Sequence, residues 1–169
     1  SVAIAQHPDI RRMLMSMRAQ TEAMRAMAIL ASSALDLSHH HPDRNERSKQ
    51  QGLIDFVTPI VKGWCTEQSI EVASLGVQVH GGMGFIEETG AAQYYRDARI
   101  TTIYEGTTGI QANDLIGRKL AAEKGATAKL LIAQMQDFSA ELGRVQHPAL
   151  ASMSQRLDAA LAALSGATD

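Results

Sequence analysis

Between Pro8 and Leu37 the apolar side chains return at steps of three, four and seven: Ile10, Met13, Leu14, Met17, Met24, Ala28, Ala31 and Leu35. That spacing is a helical period, and it predicts one amphipathic helix about seven turns long. Arg11, Arg18, Glu22 and Arg25 fall on its opposite face. A stripe of that length is buried only by packing against other long helices, so the pattern points to a helix bundle. Composition agrees. Alanine and methionine favour helices, while aromatic residues make up 4% of the chain, too few for an all-β sandwich. A length of 169 residues suits one compact domain with a sizeable core.

The remaining elements follow from their breakers. His7-Pro8-Asp9 starts the first helix, with proline tolerated in the first turn, after an extended lead-in over residues 1–6. The helix is expected to stop before His39-His40-His41-Pro42-Asp43, leaving residues 38–48 as the clearest loop. A second long helix is expected from near Lys49 to about Val79, kinked or effectively started by Pro59 and ended by Gly81-Gly82-Met83-Gly84. A short helix from Thr89 to Asp97 precedes an irregular stretch, residues 98–107, the only strand-like run. Thr107 or Thr108 caps a third long helix through Ile110, Leu115, Ile116 and Leu120. Residues 126–165 read as two helices broken at Gly143 and His147-Pro148. The expected fold is all-α, an antiparallel helix bundle.

Several function classes are disfavoured. A net charge of −2 gives no global attraction to nucleic acid or to an anionic membrane. The single cysteine leaves no disulfide framework and no CxxC site. No apolar run reaches the ~18 residues of a membrane helix, and no basic leader with an apolar core opens the chain. A cytoplasmic protein is expected. The missing initiator Met suggests a piece of something larger.

Three segments could carry chemistry. His39-His40-His41 has no acidic or Cys partner at zinc-site spacing, so it reads as a solvated loop and no metal site is expected. Gln78-Val79-His80-Gly81-Gly82-Met83-Gly84-Phe85 offers bare backbone to a ligand such as a phosphate, although glycine is also the usual helix terminator. Ile103-Tyr104-Glu105-Gly106-Thr107-Thr108-Gly109-Ile110-Gln111 places a carboxylate on an apolar loop. Desolvation raises the pKa of a carboxylate, as a general base near neutral pH requires, but acidic residues near helix starts also simply complement the dipole.

Taken together, these words and their intervals, with Tyr94-Tyr95-Arg96-Asp97-Ala98-Arg99 between them, closely resemble the C-terminal domain of the acyl-CoA dehydrogenases. The resemblance is strongest over residues 50–121. The opening His7-Pro8-Asp9-Ile10-Arg11-Arg12-Met13-Leu14 is similar to a subgroup with a longer C-terminal extension. The resemblance implies a four-helix bundle over residues 1–125. Residues 126–169 would begin a helical extension packed on it.

It also implies an FAD enzyme that oxidises an acyl-CoA thioester to the trans-2-enoyl-CoA by α-proton abstraction and β-hydride transfer. Glu105 matches the family's catalytic base, and Gly106 leaves space for the thioester. Thr107, Thr108 and Gly109 match the segment that contacts FAD phosphates and ribose. Many relatives carry Gln where Gly109 stands. Gln78, Val79, His80, Gly81 and Gly82 match the loop that contacts the adenosine-diphosphate part of FAD, across a dimer interface. Arg96 and Asp97 are expected as a structural ion pair. The implied partners are the acyl-CoA substrate, an electron-transferring flavoprotein and further subunits of a homo-dimer or tetramer. The family's middle β-domain, N-terminal helical domain and upstream FAD-contacting Arg are not among these residues, so the chain alone is expected to be inactive. The competing reading is a non-catalytic helical oligomerisation or interaction module, using the Met-rich face of Met13, Met15, Met17, Met24 and Met27.

Overall fold

The computed structural model describes residues 2–168, and among these it contains helices, turns and no strand. A 3₁₀ turn (Ile4–Gln6) leads into α1 (Pro8–His40), α2 (Arg44–Val79), α3 (Gly82–Phe85), a second 3₁₀ turn (Glu87–Thr89), α4 (Ala91–Thr101) and α5 (Thr108–Asp114). A π-helical segment (Leu115–Leu120), α6 (Ala126–Arg144) and α7 (Pro148–Thr168) complete the chain. It divides into two compact units, Ser1–Asp114 and Leu115–Asp169. The lead-in is therefore a 3₁₀ turn rather than extended chain; Ser1 lies outside the described residues.

In the first unit α1 and α2 form an antiparallel hairpin, with Met17 and Met24 of α1 beside Gly76 and Ser69 of α2. α1 starts at Pro8 as expected, because a residue without an N–H costs nothing at the first helical position. Its buried and half-buried positions include Met13, Met17, Gln20, Met24, Met27, Ala31, Ala34 and Ser38, in alternating steps of four and three. That is a 3.5-residue seam of the coiled-coil kind. The stripe expected from a 3.6 period straddles this seam. Leu14 and Leu35 consequently stay exposed, at 39% and 43%.

The expected loop over residues 38–48 is also corrected. α1 runs through His39 and His40, whose rings meet edge to face at 6.0 Å, and only residues 41–43 join the two helices. Polar side chains do not stop a helix; Pro42 does, by driving His41 to an extended backbone with ψ 135. Asp43 then caps α2 by accepting from the Asn45 amide at 2.8 Å. Arg47 seals the turn by donating to the carbonyl of His41 at 2.7 Å. Among the described residues no group of His, Cys, Asp or Glu is placed to hold a metal ion.

α2 begins at Arg44 and passes through Pro59. The ring is buried, and packing of α1, α4 and α5 against α2 offsets the missing hydrogen bond. Gly81, at φ 63, ends α2 where expected. The glycines after it nevertheless form the helical turn α3, in which Gly84 is buried against the last turn of α2.

α4 extends to Thr101, so residues 98–101 are helical and not strand-like. Among the described residues no strand is available to pair with Ile100 and Ile103, whereas a helix satisfies its own backbone. Arg96 and Asp97 do not pair with each other. Adjacent helical positions point apart. Gln93 links them, donating to Asp97 at 2.6 Å and accepting from Arg96 at 2.7 Å, while Arg96 lies 3.6 Å from Glu87.

The second unit is an α6–α7 hairpin broken near Pro148, as expected, with α6 continuing past Gly143. Ala128, Ile132 and Leu161 are its buried apolar residues. Its polar centre is the fully buried Ser139, which donates to Asp158 at 2.6 Å and accepts at its carbonyl from Ser154 Oγ at 3.1 Å. No helix among the described residues is long and apolar enough to cross a membrane.

Candidate active site

The segment from Thr102 to Thr107 is a loop with a strained centre, and Thr108 and Gly109 open α5 after it. Thr102 is buried, and its Oγ1 accepts from Arg99 Nη1 at 2.6 Å. Glu105 and Gly106 then adopt successive positive φ values of 53 and 91. For a residue with a Cβ, such as Glu105, the left-handed region costs about 1–2 kcal/mol, so the turn persists only where its surroundings hold it.

Lys62, half-buried on α2, provides much of that hold. Its Nζ donates to the carbonyl oxygens of Thr101 at 2.9 Å and Gly106 at 2.7 Å, and lies 5.8 Å from the centre of the Tyr104 ring. Gln111 Nε2 adds long contacts to the carbonyls of Glu105 and Gly106 at 3.4 and 3.5 Å. A Cβ on Gly106 would stand 2.9 Å from that same Nε2, which the flexible amide can yield, so it is chiefly φ that calls for glycine.

Thr107 caps α5, its Oγ1 accepting from the Ile110 amide at 3.4 Å. Thr108 Oγ1 donates to Glu67 Oε1 at 2.6 Å. Its hydroxyl proton is therefore unavailable to a phosphate, which only accepts. The amides of Thr108 and Gly109 stand at the helix start, where no intrahelical acceptor precedes them. Glu67, Arg99, Thr102, Thr107, Thr108 and Gly109 line one cleft of about 460 Å³.

The Glu105 side chain is exposed, beside Ile103, Tyr104 and Ile110, which are also about half exposed. Its neighbours are apolar, as the sequence suggests, but they do not enclose it.

The second predicted segment lies elsewhere on α2. Gln78 and Val79 end the helix and His80 follows, with its Nδ1 2.7 Å from the Gly76 carbonyl. Gln78, His80, Gly81 and Gly82 are exposed and Val79 is half-buried. A Cβ at Gly81 or Gly82 would meet nothing within 4 Å. Backbone φ demands glycine at 81, but nothing local demands it at 82. Val79 is twelve residues along α2 from Glu67, or roughly 18 Å. Within one chain the fold therefore does not bring residues 78–82 to residues 105–109.

Sequence reading missed Lys62 and Glu67. Lys62 left a trace, since it is the one charged residue between Val57 and Cys65, in an otherwise apolar or hydroxylated run. Cys65 is half-buried, and burial pushes its thiol above the usual range, away from the reactive thiolate.

Comparison with known proteins matches residues 1–120 to a family model described as "Acyl-CoA dehydrogenase, C-terminal domain". The whole chain is 53% identical to 3-methylmercaptopropionyl-CoA dehydrogenase of Ruegeria pomeroyi, of which it covers 28%. Over 160 residues, 95% of the chain, it is 33% identical to a butyryl-CoA dehydrogenase of Syntrophomonas wolfei and covers 26% of that protein. The solved structure of Bd2924 in its apo form superposes with a TM-score of 0.68 at 24% identity, over 94% of this chain and 29% of that one, which supports the fold. The chain thus spans little more than a quarter of the length of these relatives. An all-α unit carrying the Tyr-Glu-Gly-Thr turn between α4 and α5, and a family match over most of its length, lead to one conclusion: the chain belongs to the acyl-CoA dehydrogenase family, by that family's C-terminal helical domain.

Proposed function

We propose that this chain is the C-terminal part of an FAD-dependent acyl-CoA dehydrogenase in which Glu105 removes the α-proton of an acyl-CoA thioester. The β-hydrogen leaves as hydride and the product is the trans-2-enoyl-CoA. The observation that carries this reading is the backbone at Glu105. A carboxylate at φ 53 stands exposed on a half-apolar rim, next to a residue, Gly106, that sets no side chain between it and a thioester. An α-proton of a thioester is too weakly acidic for a freely moving, solvated carboxylate. The base must be aligned, and the developing enolate must receive hydrogen bonds.

FAD, when bound, supplies the hydride acceptor. The residues present fit it. The amides at the start of α5 suit a phosphate, and at Gly109 a Cβ would meet only Thr107 Oγ1, at 3.8 Å. Thr107 caps that turn, and Thr108 contributes its amide, its hydroxyl proton being given to Glu67. Gln78, Val79, His80, Gly81 and Gly82 stand some 18 Å along α2 from the other segment. That separation supports their serving the adenosine-diphosphate end of FAD in a neighbouring subunit of a homo-dimer or tetramer.

Residues 1–125 would form the bundle and residues 126–169 the beginning of a C-terminal extension. Electrons would pass to an electron-transferring flavoprotein. The open surroundings of Glu105 support a further expectation, that the 169 residues alone give no turnover. Exposed Phe85, Tyr94, Met15 and Ile29 favour a second role in subunit contacts. A purely structural module has no need of a strained carboxylate beside a glycine.

The test is to purify the full-length protein carrying this domain and assay dye reduction with a panel of acyl-CoAs. Bound yellow flavin with acyl-CoA-dependent reduction is expected, and none from residues 1–169 alone. A flavin-loaded full-length protein that reduces dye with no acyl-CoA would overturn the reading.

A further inference from the structure

We propose that Lys62 is a positioning residue that holds the Glu105 turn in its working conformation. The inference rests on the assignment of Glu105 as base and adds the device that aims it.

The two carbonyl oxygens that Lys62 Nζ reaches, on Thr101 and Gly106, bracket the turn, one at the end of α4 and the other just after Glu105. A single ammonium therefore fixes both ends of the arc that contains Glu105. The same Nζ lies 5.8 Å from the centre of the Tyr104 ring, inside that arc. Charge-assisted hydrogen bonds of this kind are roughly twice as strong as neutral ones.

Among the described residues no carboxylate is within ion-pair distance of Lys62. The ammonium's hydrogen-bond partners are thus both carbonyls at the ends of this turn. Gln111 contributes contacts at the long limit of a hydrogen bond and does not replace it. Without Lys62, Glu105 is free to leave the left-handed region for unstrained backbone, carrying its carboxylate with it. A displacement of about 1 Å at a reacting group costs on the order of 10²-fold in rate.

The test compares wild type, Lys62→Met, Lys62→Arg and Glu105→Gln in the full-length flavin-loaded protein. Lys62→Met keeps the stem and removes the donors. It should lower kcat roughly 100-fold while KM and the FAD content per subunit stay within about twofold. Lys62→Arg, which keeps charge and donors, should restore at least a tenth of the wild-type kcat, or roughly tenfold over Lys62→Met. Amide hydrogen exchange over residues 102–107 should accelerate at least about tenfold in Lys62→Met and not in Glu105→Gln.

Wild-type kcat with unchanged loop exchange in Lys62→Met would overturn the proposal. So would a loss of kcat accompanied by loss of FAD and unrelieved by arginine, since that marks a general structural role. If Lys62→Met does not fold, Lys62→Gln carries the same comparison. A wild-type protein that oxidises no acyl-CoA would overturn the function assigned to Glu105. Accelerated exchange in Lys62→Met would then still support the clamp, and unchanged exchange would overturn it.

Discussion

Two glycine-bearing turns stand at different stations along α2, one joining α4 to α5 and the other following α2 itself, and they are built in opposite ways. The turn around Glu105 is tied from several sides, by Lys62 to backbone carbonyls, by Glu67 to Thr108 and by Gln111 across Gly106. The turn around Gly82 has few ties; Thr89 Oγ1 donates to the Met83 carbonyl at 2.6 Å, and Phe85 stands 80% exposed beside it. The first turn is a geometry held ready. The second is a bare surface whose shape is set by Gly81 and Gly84 and whose use depends on something laid against it. A carboxylate base needs alignment, whereas a surface for a ligand's polar backbone contacts needs only access.

Glycine substitutions separate the two designs. The largest effect is expected at Gly84, where a Cβ would stand 2.2 Å from the Val77 carbonyl and 2.8 Å from His80 Cβ. Neither neighbour moves without disturbing the end of α2, so Gly84→Ala should destabilise by about 3 kcal/mol in urea unfolding. A loss below about 1 kcal/mol would show that the last turn of α2 is softer than its packing suggests.

Gly106→Ala comes next. Its obstacle is the flexible end of Gln111 and its φ is 91, so about 1–2 kcal/mol is expected. Enoyl-CoA formation should fall by more than that stability loss explains.

The smallest effects are expected at Gly82 and Gly109, where no backbone or packing demand exists. Alanine there should change stability by no more than about 0.5 kcal/mol, in either direction, yet lower FAD retention in the full-length protein. Unchanged FAD content in both variants would remove these glycines from the cofactor site.

How much of this was legible follows from the physics of each residue. Helix existence was legible wherever period and breakers agreed: Pro8 opens α1, Gly81 closes α2, and the last helix starts at Pro148. The polar run from Ser38 was misleading because hydrophilic side chains sit well on an exposed helical face, and only Pro42 carries the stop. Residues 98–101 were misleading because β propensity means little without a neighbouring strand. The buried face of α1 differs from the expected stripe because a 3.5-residue seam drifts against a 3.6-residue helix.

At the site, Glu105 was legible from its motif, but its positive φ was not, since a left-handed residue with a side chain leaves no compositional mark. Lys62 was the hardest to see. Its partners are backbone oxygens 39 and 44 residues away, which no local pattern encodes.

The central claim is that Glu105 is the base. The direct test is solvent deuterium exchange at the α-carbon of a bound acyl-CoA by the full-length protein carrying Glu105→Gln. Glutamine is nearly the same shape and takes no proton, so exchange should fall by roughly 10³-fold or more, with FAD content and unfolding midpoint unchanged. Exchange within tenfold of wild type would contradict the account.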